Sequence, residues 1–268
     1  MFYSAKNGKV KIRNSEMEYV TFGKGSKYLI IIPGLGDGLK TVKGMAIMFA
    51  IMYRCFAKSH KIYFLSRKNH IEKGYSTRDM AEDYKTATEK LGISKADVFG
   101  ISQGGMIAQY IAIDYPEAVR KLVLVATLSK QNETVQKVVK NWIKMAEKND
   151  YKNILISSTE KNYTGKRLKR YRLLYPLLTR IGKPKNFNRF IIQADSCINH
   201  DAHNELDKIK CPTLVIGVDN DKVVGIGTSE EIAGKIKDSK LIIHEGFGHC
   251  VHEEVKDFNS QIFEFLNF

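Results

Sequence analysis

The sequence predicts an α/β fold: a mostly parallel central sheet flanked by helices, with one helical cap inserted. Three observations carry that prediction. Short apolar runs alternate with longer amphipathic stretches, as expected of strands covered by helices. The alternation stops over 129–205, where helical patterning and polar loops take over, and then resumes. The 268 residues are 43% hydrophobic and 27% charged, which supports one large core and argues against disorder.

The elements follow in chain order. Residues 9–13 and 17–22 read as an antiparallel entry pair. A third strand is expected at 28–32, before the glycine-rich Pro33-Gly34-Leu35-Gly36-Asp37-Gly38. Residues 45–56 are the most apolar stretch; they are too short to span a membrane and contain Arg54, so a buried core helix is expected, with an interfacial helix as the alternative. Strands are expected at 61–65, 96–100, 121–125, 213–217 and 240–244. In 77–91 a helix places Met80, Tyr84, Ala87, Thr88 and Leu91 on one face. A helix over 104–115 is closed by Pro116, and helices over 229–236 and 252–266 complete the set. Segment 129–205 leaves after one sheet strand and returns before the next, which makes it a cap over the strand ends where open α/β sheets bind ligands. The domain reading is a core of 1–128 and 206–268 with a cap of 129–205.

The formal net charge of +14 leaves nucleic acid, a membrane surface or an acidic ligand open as partners. No nucleic-acid recognition motif accompanies it, and Lys166-Arg167-Leu168-Lys169-Arg170 is the one dense basic run, so no nucleic acid is expected. Segment 129–205 holds 16 Lys and Arg against 7 Asp and Glu, a net of +9. The 166–172 cluster suits a rim that steers a substrate bearing a carboxylate or phosphate. Lys137, Lys140, Lys144 and Lys148 instead have the spacing of a solvated helix face. The first residues lack the pattern of a signal peptide, and no run is long enough for a membrane span. Cys55, Cys197, Cys211 and Cys250 lie far apart, with no C-x-x-C pair. Free thiols in a reducing compartment, and a cytoplasmic location, are the expectation. The composition says nothing about oligomeric state.

Chemistry concentrates at Gly100-Ile101-Ser102-Gln103-Gly104, a G-x-S-x-G motif between an expected strand and an expected helix. That context forces a tight turn that presents Ser102, and the helix behind it favours developing negative charge. A serine hydroxyl needs an imidazole as base and a carboxylate to orient that imidazole. After the strand at 213–217, Asp219 and Asp221 compete for the acid; Asp221 is preferred because Lys222-Val223-Val224 carries the chain off the sheet. Beyond the last strand, His249 follows the flexible Gly246-Phe247-Gly248. His244 ends that strand facing a helix, and His252 suits a capping or surface role. His60, His70, His200 and His203 read as surface or loop residues, and His200, Asp201 and His203 are too weakly spaced for a metal site. The N–H groups of Gln103 and Leu35 are the expected oxyanion donors.

With these motifs, the chain resembles the α/β-hydrolase superfamily, in the group that includes esterases, enol-lactonases and C–C bond hydrolases. The resemblance rests on Pro33-Gly34-Leu35-Gly36, the stretch from Gly100 to Gln109, Tyr115-Pro116 with Lys121-Leu-Val-Leu124, Cys211-Pro-Thr-Leu214 through Asp221, and Gly248-His249. It implies Ser102, Asp221 and His249 as a triad and Leu35 and Gln103 as oxyanion donors. Pro33-Gly34 stands where many members have His-Gly, which removes a side chain that often braces the loop. The stretch from Phe64 to Tyr75 also replaces the more usual Asp-x-x-Gly. The expected activity is hydrolysis of an ester, thioester or lactone of a small-molecule acyl substrate, with no metal or organic cofactor required. C–C bond hydrolysis or acyl transfer on the same triad, and a non-catalytic binding protein on this scaffold, are the alternatives.

Overall fold

The computed structural model describes residues 3–268. In chain order the elements are β1 (Lys6–Ile12), β2 (Ser15–Phe22), β3 (Lys27–Ile32), α1 (Ala46–Met52), β4 (His60–Leu65), α2 (Thr77–Lys90), β5 (Ala96–Ile101), α3 (Gln103–Asp114) and β6 (Val119–Val125). There follow α4 (Glu133–Glu147), α5 (Tyr151–Asn162), α6 (Gly165–Leu178), α7 (Asn188–Ile198), β7 (Thr213–Val218), α8 (Thr228–Lys235), β8 (Ser239–His244), α9 (Val251–Glu254) and α10 (Phe258–Asn267). The strands form one sheet in the order β1-β2-β4-β3-β5-β6-β7-β8. The β1–β2 and β2–β4 pairs are antiparallel, and every later pair is parallel.

Alternate strand residues feed two cores. Ile30, Ile32, Val98, Leu122, Leu124 and Val215 pack with α2, α3 and α8. Leu29, Ile31, Phe99, Val123, Val125 and Ile216 pack with α1 and α10. Complete burial of a side chain such as Ile31 contributes about 1.5–3 kcal/mol relative to exposure. Local chemistry sets the boundaries. α2 starts at a capping box in which Ser76 Oγ accepts from Asp79 N at 3.1 Å and Asp79 Oδ2 accepts from Ser76 N at 2.8 Å.

A third core joins α4 and α7 to the sheet's carboxyl end, through Leu35, Met106, Leu128, Trp142, Phe190 and Val224. The whole run from α4 to α7 lies between β6 and β7, which are parallel neighbours. Its two ends are tied at a neck. Lys130 and Asp201 form an antiparallel bridge, Gln131 N donates to His200 O at 3.1 Å, and Ala202 N donates to Ser129 O at 2.8 Å.

Two sequence expectations need correction. The 45–56 helix is not a buried core helix. It is the shorter α1, with Ala46, Phe49 and Ala50 buried and Ile47, Met48, Ile51 and Met52 exposed. The expected 252–266 helix is broken into α9 and α10, because Val255 is extended at ψ 124. Among the described residues no helix is long and apolar enough to cross a membrane.

Candidate active site

Ser102 sits between the end of β5 and the start of α3, at φ 55 and ψ −120. This strained backbone costs on the order of 1–3 kcal/mol and persists because its surroundings over-determine it. Ser102 N donates to Val125 O at 2.9 Å, and Ser102 O accepts from Gly105 N and Thr127 Oγ1, each at 2.8 Å. The flanking glycines are required by close approach. A Cβ on Gly104 would lie 2.0 Å from Ile32 O, and one on Gly100 would lie 2.4 Å from Gly104 O.

Loops after β7 and β8 bring two more predicted residues to Ser102. His249 Nε2 lies 2.9 Å from Ser102 Oγ, and His249 Nδ1 lies 2.8 Å from Asp221 Oδ2. Asp221 Oδ1 accepts from Val223 N at 2.8 Å and Val224 N at 2.9 Å, so the carboxylate is held from both sides. Asp221 and His249 are buried. Asp219 points elsewhere: its Oδ1 accepts from Gly246 N at 2.8 Å, pinning the loop that leads to His249. The two expected oxyanion donors also converge. Gln103 opens α3 and Leu35 opens a one-turn 3-10 helix, and the Cβ position of Gly34 is 3.3 Å from Ser102 Cβ. Among the described residues, neither the Gln103 nor the Leu35 N–H is taken by another acceptor.

The alpha/beta hydrolase fold family model matches residues 28–255. The chain belongs to this family. Epoxide hydrolase 1 of Caenorhabditis elegans is 23% identical over 96% of this chain and 69% of that protein. Among solved structures, the α/β-hydrolase MGS-M2 from a Medee basin deep-sea metagenome library superposes with a TM-score of 0.84 at 22% identity, covering 97% of this chain and 98% of that one. The enol-lactonase of Burkholderia xenovorans LB400 gives 0.83 at 16% identity, covering 97% of this chain and all of that one, 100%. At such identities the structural likeness speaks for the fold.

This α/β-hydrolase braces its first loop with a residue that sequence reasoning missed. Arg67, just past β4, is fully buried. Its Nη1 donates to Pro33 O at 2.7 Å, and its Nη2 donates to Gly34 O at 3.0 Å and also to Gln103 Oε1. One guanidinium thus ties together the two segments that carry the Leu35 and Gln103 N–H groups. Asp37 faces it with Oδ2 at 3.7 Å and is shared with Arg189. The far side of Gln103 is held too, since Nε2 donates to Gln193 O at 2.7 Å and Ser196 Oγ at 3.0 Å. The signal available in the sequence was an arginine directly after a strand that neighbours β3.

A cavity of about 340 Å³ opens over Ser102. Its wall is mainly apolar, with Leu35, Phe49 and Met106 from the sheet side and Val139, Trp142 and Ile154 from the helices above. Among the described residues no Lys or Arg lines it, so the 166–172 cluster does not form its wall. Cys250, His252 and Glu253 do line it, and their ligand-type atoms lie within 4.8 Å of one another. Burial pushes the Cys250 thiol up and His252 down to about 4, and Glu253 is already paired with Arg167 at 2.6 Å. A protonated thiol and an occupied carboxylate do not make a ready thiolate metal site. His252 is therefore a wall residue rather than a surface cap.

Two other histidines differ from their expected surface placement. His60 is completely buried, with Nε2 2.8 Å from Asp97 Oδ2. His200 is buried against Thr77 Oγ1 at 2.9 Å, and burial pushes it down to about 3. His244 does face a helix, with Nε2 3.1 Å from Gln261 Oε1 on α10.

Proposed function

We propose that this chain is a serine hydrolase that cleaves an ester, thioester or lactone with an apolar acyl group. The observation that carries this reading is the unbroken Ser102–His249–Asp221 hydrogen-bond line at the floor of an apolar cavity. In the proposed reaction, Ser102 Oγ attacks the acyl carbon while its proton passes to His249 Nε2. Asp221 accepts from His249 Nδ1–H, fixing the tautomer and stabilising the imidazolium. The oxyanion is received by the Leu35 and Gln103 N–H groups, each worth a factor of about 10²–10³. Collapse expels the alcohol, thiol or tethered alkoxide, which takes the proton from His249. Water then attacks the acyl-enzyme by the same route and releases the acid.

In this reading, 129–205 is the cap and 1–128 with 206–268 the core, because α4, α5 and α7 supply the upper wall of the cavity. The wall favours a neutral acyl chain over an anionic one. The unpaired cysteines fit a reducing, cytoplasmic compartment.

The test is pre-steady-state hydrolysis of activated esters of graded acyl length, with fluorophosphonate labelling of the enzyme. A burst, labelling at Ser102, and loss of both in Ser102→Ala are expected. Asp221→Asn should lower kcat by about 10⁴, whereas Asp219→Asn should act through loop stability alone. An unlabelled protein that still binds acyl ligands would favour the non-catalytic alternative. Burst-free cleavage of a vinylogous diketone with no esterase activity would favour C–C hydrolysis.

A further inference from the structure

One helix of the proposed cap is uncovered to a degree that its role as a lid over the cavity does not require. None of the fourteen residues of α6 is buried. Its inner side is held by Tyr171 stacking on Tyr163 at 4.5 Å, by Arg167 on Glu253 and by Arg172 on Glu160. Its outer side runs through positions three and four apart, which share a helix face. Lys166, Lys169 and Arg170 occupy the first part of this face, and Leu173, Leu174 and Leu177 the second; all six are exposed. Leu173 is 82% exposed and Leu177 58%, and Ile181 extends the stripe at 52%. Single exposed aliphatics are ordinary, but a contiguous row rimmed by charge marks an interaction surface.

Charge identifies the occupant. Residues 161–187 contain nine Lys and Arg and no Asp or Glu. Arg167 and Arg172 are satisfied by Glu253 and Glu160. Among the described residues, the other seven meet no carboxylate within ion-pair distance. A protein groove would suit the leucines and an acidic peptide the bases. A helix that carries both on one open face, with an open groove of Lys166, Arg170, Leu174 and Phe247 along its side, matches the surface of an anionic bilayer, whose headgroups and chains meet the bases and the leucines together.

We propose that α6 docks this enzyme on anionic phospholipid, with Leu173, Leu174 and Leu177 below the headgroups and Lys166, Lys169 and Arg170 among the phosphates. The cavity is placed to receive lipid-borne acyl groups. Tyr163, which supports α6, and Met52, on the exposed aliphatic face of α1, both line it. That last point rests on the proposed hydrolase activity; the docking does not.

The test separates the two by measuring binding with the full-length Ser102→Ala protein, which turns nothing over. Co-sedimentation is compared for phosphatidylcholine vesicles and phosphatidylglycerol-rich vesicles, at low and high salt. Binding to the anionic vesicles, weakened by salt, is expected. Lys169→Glu/Arg170→Glu and, separately, Leu173→Ser/Leu177→Ser should each weaken it about tenfold or more, with unchanged thermal melting. The proposal is overturned if the parent protein binds neither vesicle, or if either double variant binds as well as the parent. It is also overturned if vesicle-free protein self-associates through this face and the leucine variant abolishes that association instead.

Discussion

Ser102, His249 and Asp221 were legible in the sequence because each carries a local signature: glycines around the serine, and a loop position after a strand for the other two. In the geometry Asp221 meets His249, whereas Asp219 meets a loop amide. Arg67 was not legible. A lone arginine after a strand looks like surface charge, and only the fold shows that it is buried on carbonyl oxygens. His60 and His200 were misread for the same reason, because burial of a polar side chain is decided by distant partners such as Asp97 and Thr77. Arg67 carries a prediction. Arg67→Lys keeps the charge but cannot span Pro33 O, Gly34 O and Gln103 Oε1 at once. The variant should fold, with kcat lowered by about 10²-fold and KM little changed, since in the proposed reaction what is lost is alignment for the oxyanion. Steady-state kinetics beside a thermal melt checks this; a rise in KM alone would make Arg67 a residue of substrate binding instead.

At the scale of elements, the five central strands β3 to β7 were readable because strands covered on both faces are short apolar runs, as in Leu29–Ile32 and Leu122–Val125. Helices were harder where burial was one-sided. In α1 the apolar residues of the outer face are indistinguishable by composition from those of the inner face, so the helix read as wholly buried. The β5–α3 elbow offers a test of how tightly these elements close. Gly104→Ala places a methyl 2.0 Å from the backbone of β3, where no side chain can yield. Unfolding in urea should show a loss of about 1–3 kcal/mol or more, together with collapse of activity. An unchanged midpoint would mean that the elbow sits farther from β3 than described.

At the scale of the whole molecule, buried imidazoles give stability a pH dependence. His200 and His252 are held neutral by burial, at about 3 and about 4, against an ordinary value of 6.5. Between those values the unfolded chain binds protons that the folded chain does not, so stability rises with pH there. The contribution is intact above pH 6.5 and is lost as pH falls through that window, by up to about 1.4 kcal/mol per pH unit for each group. Denaturant titrations at pH 7 and pH 5 should show this loss, and His200→Asn should lose less between the two pH values than the parent. Equal losses would place the acid sensitivity elsewhere.

Lys130 and Asp201 pinch the run from α4 to α7 at its base, between two adjacent parallel strands. Above that point the run is still wired to the core: Gln193 and Ser196 hold Gln103, Arg189 holds Asp37, and Asn162 O accepts from Cys250 N. A foreign segment joined between Ser129 and Ala202 would therefore have to carry these α7 contacts with it, or Gln103 loses the support on its far side.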